Sequence, residues 1–413
     1  MHPECPILRR QVICFRSPFV VGKTVGYLFK ATSINVARAV YALNWFDIAP
    51  GLTYISKDLG LQVVQLGIVT TFFYVGLAPF QLIGGALASR IGSRRVAFIG
   101  LLLLGLGAIA SGFSHNLAEL SFSRFVAGWG SAFFFSPGLS ILRDISPVES
   151  YPLQVGIYNG VFGLGAGVGA FGWVFIDKVI GWQLGLVIGG VLVISIAIEN
   201  AIALRGVKEH KAESIGFKEK MITVVRNKYL WFTAIGTLAA TFVETIGGQF
   251  LVYFGENYLR IASVYSGFID GLFLTIGFLG GVVGGYFLSK VHIRRPYTYV
   301  TLVVSSIFFI LIPFSGNLVI LTLIVAVCGF SVQSGFSALY VLSLLYVRDK
   351  AMVPFALSFV NFIGIAVGSV SPFFFTLLTD RIGPDFGWII LGILGIAFVP
   401  ILLLAKSTGI PDN

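Results

Sequence analysis

Residues 84–95 read GGALASRIGSRR, and residues 284–295 read GGYFLSKVHIRR. Each stretch ends a long apolar run, places a Gly-Gly pair four residues before Ser-Arg or Ser-Lys, and closes on a pair of arginines. The two copies lie 200 residues apart, about half the length of the chain. A repeat at this spacing predicts two homologous halves.

The composition is that of a membrane protein. Of the 413 residues, 56% are hydrophobic and 11% are charged, whereas charged residues make up about 25% of soluble domains. A bilayer core of about 30 Å is crossed by about 20 helical residues, so the chain has room for about twelve helices. We therefore predict an all-α membrane protein with twelve transmembrane helices in two pseudo-symmetric halves of six.

Apolar runs bounded by Pro, Gly or charged residues place the twelve spans. In order, they are predicted at 33–56, 62–88, 94–114, 117–142, 151–177, 182–204, 229–256, 263–289, 296–315, 318–346, 351–379 and 385–405. The domains follow as an N-terminal tail (1–32), a first half (33–204), a linker (205–228), a second half (229–405) and a C-terminal tail (406–413).

The distribution of Lys and Arg predicts the orientation in the membrane. Of the 28 basic residues, 22 fall on one side and four on the other, while Arg38 and Arg124 lie within spans. The basic side of a membrane protein faces the cytoplasm, so both termini are predicted to be cytoplasmic in a multi-pass protein of the plasma membrane. This asymmetry accounts for the net charge of +10, which therefore does not indicate a nucleic-acid partner.

The duplication extends beyond the opening repeat. Arg143-Asp144 closes span 4 as Arg348-Asp349 closes span 10. In span 1, Asp47 stands four residues before Gly51, and in span 7 Glu244 stands four residues before Gly248. Each half therefore begins with a helix that carries an acidic residue at a similar depth.

Three motifs resemble those of the major facilitator superfamily. Gly85-x-Leu87-Ala88-Ser89-Arg90-Ile91-Gly92-Ser93-Arg94-Arg95 is similar to the loop motif after the second helix of that superfamily. Arg124-Phe125-Val126-Ala127-Gly128-Trp129-Gly130-Ser131-Ala132 resembles its helix 4 motif. Span 5 is rich in glycine, like helix 5 of the antiporter branch, although the usual Gly-Pro pair is missing. The resemblance covers all twelve spans and implies a secondary transporter that works by alternating access.

The loop motif departs from the family at one position. Ser89 stands where the family usually has Asp, and the second copy repeats this at Ser289. The resemblance implies a cytoplasmic gate built from Gly85, Ser89, Arg90, Gly92, Arg94 and Arg95. We predict that Asp144 and Asp349 supply the missing carboxylates to the arginines of this gate.

Four ionisable residues inside the spans are functional candidates, because such residues are costly in a membrane. They are Asp47, Arg124, Glu244 and Asp270. At 1.5 Å per residue, Asp47 lies roughly 21 Å and Arg124 roughly 27 Å from the inner face, so the two are expected to pair. The resemblance places Asp47, Arg124 and Glu244 around one central cavity, where a carboxyl group could bind and release a proton while Arg124 remains charged.

Other readings of these residues remain open. Asp47 and Arg124 could form a purely structural pair. Asp270 could belong to an outer gate or to a wet helix end. We expect Arg38 and Glu199 to reach the cytoplasmic surface, and Glu119 and Glu256 to be solvated at the outer ends of their helices. Uncharged candidates for the cavity are Asn44, Gln249, Gln333, Tyr340, Asn159 and Asn361.

The sequence thus predicts a transporter of a small organic solute, coupled to protons, that exports a drug or metabolite or imports a metabolite. A uniporter, a sodium-coupled organic anion transporter and a transporter-like sensor are the alternatives. Val21-Gly22-Lys23-Thr24 lacks the first glycine of a phosphate loop, and no hydrolase motif occurs, so neither ATP-driven transport nor an enzyme is expected. Besides the substrate, we expect the proton and the lipid bilayer as partners, with no cofactor, no metal, no nucleic acid and a monomeric state.

Overall fold

A computed structural model describes residues 18–147, 150–207, 217–290, 294–347 and 353–404. Within these ranges the chain is helical and has no strands. The helices are α1 (Pro18–Leu43), α2 (Leu52–Asp58), α3 (Val63–Ile91), α4 (Ser93–Gly112), α5 (Leu117–Ala132), α6 (Phe135–Ile145), α7 (Tyr151–Ile180), α8 (Trp182–Ala203), α9 (Phe217–Arg226), α10 (Lys228–Asn257), α11 (Ser263–Lys290), α12 (Arg294–Leu311), α13 (Leu318–Leu344), α14 (Val353–Gly368), α15 (Ser371–Ile382) and α16 (Pro384–Phe398). Short 3-10 segments follow α12 (Ile312–Phe314) and α16 (Val399–Leu404).

The all-α membrane fold is confirmed. Within the described ranges, eleven helices or helix pairs are long and apolar enough to cross a membrane, and they correspond to predicted spans 2–12. The first predicted span differs, because α1 begins at Pro18, ends at Leu43, and is separated from α2 by turns at 44–51. The predicted linker contains the short helix α9.

Predicted spans 4 and 11 are also each built from two helices, and a proline explains each of these two breaks. Proline has no N–H to donate to the carbonyl four residues earlier. Pro137 would leave the carbonyl of Phe133 without a partner, and α5 ends at Ala132. Pro372 would do the same to Gly368, the last residue of α14, and the hydroxyl of Ser371 donates to that carbonyl instead, at 2.7 Å.

The two predicted halves meet where α7 packs against α11 and where α3 packs against α14 and α15. Gly167 and Gly271 allow the first contact, because a methyl group on Gly167 would lie 2.7 Å from the carbonyl oxygen of Gly271 and would overlap Thr275. Helix α10 is the most enclosed of the spans. It forms the centre of the second half and reaches the first half through Gly248, which packs against Phe46.

Further contacts between the halves lie toward the side predicted to face outward. The backbone N–H of Phe373 donates to the Thr71 hydroxyl at 3.1 Å, and Asn257 donates to the Thr53 hydroxyl at 2.8 Å. Gly67 approaches α15 so closely that a methyl group there would overlap Thr376. The structure therefore holds the two halves together on this side.

Candidate functional site

Asp47 lies in the turns between α1 and α2. Helix α1 ends at Leu43, and the indole N–H of Trp173 donates to the Leu43 carbonyl at 3.0 Å. The side chain of Asn44 donates to the Val40 carbonyl at 3.0 Å. These bonds satisfy carbonyl groups that the end of a helix leaves without a partner. They fix the turn that places Asp47 inside the protein, where it is 2% exposed.

The structure brings Asp47 and Arg124 together. Arg124 projects from α5, and its Nη1 lies 2.9 Å from Oδ1 of Asp47. The side chains of both residues are inaccessible to solvent, at 0% and 1% exposure. The ring of Phe73 lies 4.9 Å from the guanidinium carbon and adds a cation-π contact. A buried ion pair of this kind depends on both partners, because either charge alone would be left uncompensated.

A second polar group lies in the second predicted half. Gln333 on α13 donates a hydrogen bond from its side-chain amide to Oε1 of Glu244 on α10. Glu244 is half-buried and has this neutral partner, in contrast to the arginine that faces Asp47. Two acidic residues at related positions in the repeat are therefore in different surroundings.

Gln249 links the two halves near these acids. Its amide nitrogen donates to the carbonyl of Trp45 and to the hydroxyl of Tyr74, both at 3.2 Å. Gln249 therefore connects α10 to the turn that carries Asp47.

The remaining uncharged candidates do not form one cluster. Tyr340 donates to Asn361 at 2.9 Å, and Asn361 contacts the Gln81 side chain at 3.4 Å, which forms a separate link between the halves. Asn44 is buried in the turn beside Asp47, and its Oδ1 has no hydrogen-bond partner among the described residues. Asn159 is exposed on α7, apart from the described contacts of the acids.

The expectation for Arg38 was wrong. Arg38 is 6% exposed and does not extend to the surface. Its guanidinium carbon lies 4.5–4.9 Å from the centres of four aromatic rings, those of Tyr41, Phe135, Tyr158 and Phe162. Among the described residues, Nε and Nη1 have no hydrogen-bond partner. Arg38 is buried because α1 begins 15 residues before the predicted start of span 1, which places Arg38 deep in the bundle.

Two further acids are buried. Asp270 is 0% exposed, and neither oxygen has a hydrogen-bond partner among the described residues, so the wet helix end is excluded. Asp177 was not among the predicted candidates, because the predicted span 5 ends at this residue. Helix α7 continues to Ile180 and is capped by Gly181, and Asp177 is buried against Gly51 and Gly185. Gly181 was the signal in the sequence, because a glycine cap there places Asp177 one turn inside the helix.

Three other acids lie near helix ends. Glu119 is exposed at the start of α5, as expected, and accepts hydrogen bonds from the backbone N–H of His115 and the amide of Asn116. Glu256 is only half-exposed and accepts a hydrogen bond from the Thr53 hydroxyl of the other half. Its carboxylate is therefore not freely solvated. Glu199 is also half-buried and accepts from Ser33 at 2.9 Å.

The residues of the predicted gate lie at the junction of α3 and α4. Gly92 ends α3 and begins α4 with a φ of 99°, a conformation that favours glycine. Arg90 and Arg95 are exposed, and Arg94 donates to the Val207 carbonyl at 3.4 Å.

Of the two acids predicted to serve this gate, the structure describes Asp144. Asp144 lies 3.5 Å from the neighbouring Arg143. Gly85 has open space beside it. Asp349 and the side chain of Ser89 lie outside what the structure describes.

The sequence model of the Major Facilitator Superfamily matches residues 34–372. Among curated proteins, the quinolone resistance protein NorA of Staphylococcus aureus (strain MRSA252) is 26% identical over 241 residues, which cover 55% of this chain and 60% of NorA. The 4-hydroxybenzoate transporter PcaK of Pseudomonas aeruginosa is 30% identical over 151 residues, which cover 37% of this chain and 33% of PcaK. The chain spans about half the length of the curated relatives it matches.

Solved structures share the fold over nearly the whole chain. A bacterial homolog of the human lysosomal transporter Spinster, in an inward-facing and unoccupied conformation, superposes with a TM-score of 0.74 at 16% identity. That match covers 92% of this chain and 95% of the other. The nucleoside transporter NupG gives a TM-score of 0.74 at 13% identity, with coverages of 91% and 99%.

Proposed function

The chain belongs to the Major Facilitator Superfamily, and we propose that it is a secondary active transporter that couples the movement of a small organic solute to protons. The observation that carries this proposal is the Asp47–Arg124 pair, fully buried and joined at 2.9 Å. Relatives named for quinolone resistance and for 4-hydroxybenzoate transport support a small organic compound as the solute. The direction of transport is either export or import.

Protonation would act on this pair through charge. A proton on Asp47 removes the negative charge that faces Arg124, and it leaves the guanidinium able to attract another anion or to move. Arg124 keeps its own charge throughout, because a guanidinium does not lose its proton in proteins. Binding and release of one proton would therefore alternate between a paired and an unpaired Arg124.

Glu244 is the second proposed proton carrier. Its described hydrogen-bond partner is the neutral Gln333, whose amide can donate to a carboxylate and whose carbonyl oxygen can accept from a protonated acid after rotation. This partner can therefore serve both protonation states. Gln249 connects α10, which carries Glu244, to the turn that carries Asp47.

The packing between the halves supports alternating access. The contacts of Thr71 with Phe373 and of Thr53 with Asn257 join the halves on the side predicted to face outward. Both contacts are single hydrogen bonds, and Gly67 packs closely against Thr376 beside them. Such contacts can break together when two rigid halves rock against each other. Opening them would expose the buried acids to the outer solution.

Arg38 favours a solute that carries an anionic group. It is a buried cation without a carboxylate partner among the described residues, surrounded by aromatic rings. Buried charges are normally paired, and an aromatic surround suits a flat organic molecule. We therefore place organic anions first among the solutes to test.

The test is proton movement across vesicles that contain the purified protein. A pH-sensitive dye reports proton flux while single compounds are added: aromatic carboxylates, quinolones, quaternary ammonium ions and amino acids. We expect at least one compound to evoke proton movement in the wild type, and we expect Asp47→Asn and Glu244→Gln to abolish it. Glu119→Gln, which removes an exposed acid, is the matched control and should behave like the wild type.

The same vesicles separate the alternatives. Solute movement without proton movement, unchanged in both variants, would contradict the proposal and indicate a uniporter. Transport that requires sodium and persists when the pH gradient is removed would indicate a sodium-coupled organic anion transporter. A sensor would bind a compound without moving it.

A further inference from the structure

A cavity of about 520 Å³ opens where the junction of α3 and α4 meets the end of α8. It lies outside the group of buried acids, and it is formed in part by arginines of the predicted cytoplasmic gate. Its lining residues are Arg90, Ile91, Arg94, Arg95, Phe98, Leu101, Ala197, Asn200, Ala201 and Leu204. The cavity therefore combines three guanidinium groups with a mainly apolar wall.

The charged side chains in the described lining of the cavity are all basic. Three arginines line it, and none of the lining residues that the structure describes carries a carboxylate. Glu199 is next in sequence to the lining residue Asn200, but it accepts a hydrogen bond from Ser33 on α1. Arg94 contacts the Val207 carbonyl at 3.4 Å, which holds one of the three guanidinium groups at the edge of the cavity.

The turn between α3 and α4 brings these arginines together. Gly92 joins the two helices with a φ of 99°, so α4 begins directly after α3 ends. Arg90 comes from the last turn of α3, and Arg94 and Arg95 come from the first turn of α4. The three charges are thus fixed by a tight turn, and not by a long loop.

The position of the cavity indicates its ligand. It lies at the ends of three membrane-spanning helices, on the side that the basic residues predict to be cytoplasmic. Its wall continues onto the part of α8 that carries exposed Ile198 and Ile202, at 51% and 54% exposure, a surface suited to lipid chains. Basic pockets between membrane helices on this side recognise the headgroups of anionic lipids.

We propose that this cavity binds the phosphate headgroup of an anionic phospholipid, with the glycerol and first methylene groups against Phe98 and Ala201. Arginine suits this role, because its planar guanidinium donates two parallel hydrogen bonds to phosphate oxygens. The apolar wall favours a lipid over a soluble phosphate compound, which would leave that wall in contact with water. The site does not depend on the transport proposal.

The test is lipid retention measured by native mass spectrometry. The full-length protein is transferred into nanodiscs of equal parts phosphatidylglycerol and phosphatidylcholine and then released. We expect one phosphatidylglycerol per chain to be retained in preference to phosphatidylcholine. Loss of two arginines in R90Q/R95Q should weaken this preference about 30-fold, since each basic residue near a lipid headgroup contributes about a factor of five.

Two further variants make the result specific. Ala201→Trp fills the cavity without removing a charge, so it should also abolish the retained lipid. Arg226→Gln removes one positive charge from exposed α9, away from the cavity, and should retain lipid like the wild type. If the double arginine variant does not fold, the comparison of Ala201→Trp with the wild type still tests the proposal.

Three outcomes would overturn the proposal. Equal retention of both lipids by the wild type would show that no headgroup site exists. Equal losses in Arg226→Gln and R90Q/R95Q would show a diffuse charge effect. Displacement of phosphatidylglycerol by millimolar inorganic phosphate would identify a soluble anion as the ligand.

Discussion

At the scale of single residues, the Asp47–Arg124 pair is the group most sensitive to change. Both charges are removed from water, and each is tolerated because the other is 2.9 Å away. Breaking such a pair by changing one partner costs about 3–5 kcal/mol, whereas replacing both partners can cost little. Stability and coupling can therefore be separated by comparing single and double variants.

We predict that Asp47→Asn lowers the free energy of unfolding by about 3 kcal/mol and abolishes proton coupling. The double variant D47N/R124Q should recover most of the stability, because no buried charge remains, and should still fail to couple. Thermal unfolding in detergent measures the first effect, and vesicle proton flux measures the second. Recovery of coupled transport in the double variant would show that the pair is only structural.

Arg38 gives a second prediction at this scale. Its guanidinium contacts four aromatic rings within 4.9 Å, and a desolvated cation-π contact contributes about 2 kcal/mol. Arg38→Gln should lower the free energy of unfolding by about that amount and reduce uptake of organic anions most. Arg205→Gln, an exposed arginine, is the control for the loss of charge. Unchanged stability and uptake in Arg38→Gln would contradict this role.

Some of the buried charged residues could be predicted from the sequence, and others could not. Asp47, Arg124 and Glu244 could be selected from sequence alone, because an ionisable residue in an apolar run has few structural reasons to be there. Arg38 and Asp177 could not, because their burial depends on where a helix starts or ends. In both cases the helix extends beyond its predicted bound and carries the charged residue into the bundle.

At the scale of the helices, the apolar runs located the spans but not their interruptions. The breaks before Pro137 and Pro372 follow from the missing proline N–H. The break at 44–51 has no proline within it other than Pro50, and it depends on tertiary contacts such as the bond from Trp173 to the Leu43 carbonyl. A contact between residues 130 positions apart is not visible in a local sequence pattern.

The packing of α7 on α11 gives a prediction at the scale of helices. Gly167 faces Gly271 and Thr275 of the other half with no room for a methyl group, whereas Gly172 on the same helix faces open space. Gly167→Ala should therefore push the halves apart where α7 packs against α11, and Gly172→Ala should not. Distances between spin labels on α7 and α11 would measure this separation. Equal distances in both variants would contradict the close contact.

At the scale of the whole molecule, most of the fold prediction followed from the duplication. The repeat at 84–95 and 284–295 and the low charge content were sufficient for an all-α membrane fold. The relative placement of the helices was not contained in these patterns. It depends on contacts such as Gly248 against Phe46, which bring together parts of the chain about 200 residues apart.

The predicted orientation can be tested on intact cells. Lys178 and Glu219 are exposed on opposite sides in the predicted topology, at the end of α7 and in the linker helix α9. A single cysteine at position 178, in a background without the native cysteines, should react with a membrane-impermeant maleimide added outside. A single cysteine at position 219 should react only after the cells are opened. The reverse pattern would overturn the orientation.

The most direct test of proton coupling is the steady-state distribution of the solute at different imposed pH gradients. The protein is placed in vesicles with the membrane potential clamped at zero, and the first compound that evokes proton movement is used as the solute. If one proton moves with each solute molecule, the concentration ratio should change about tenfold per pH unit. Accumulation on the alkaline side would identify symport and accumulation on the acidic side antiport, and Asp47→Asn should abolish the gradient dependence. A wild-type ratio that stays at one for every pH difference would contradict proton coupling.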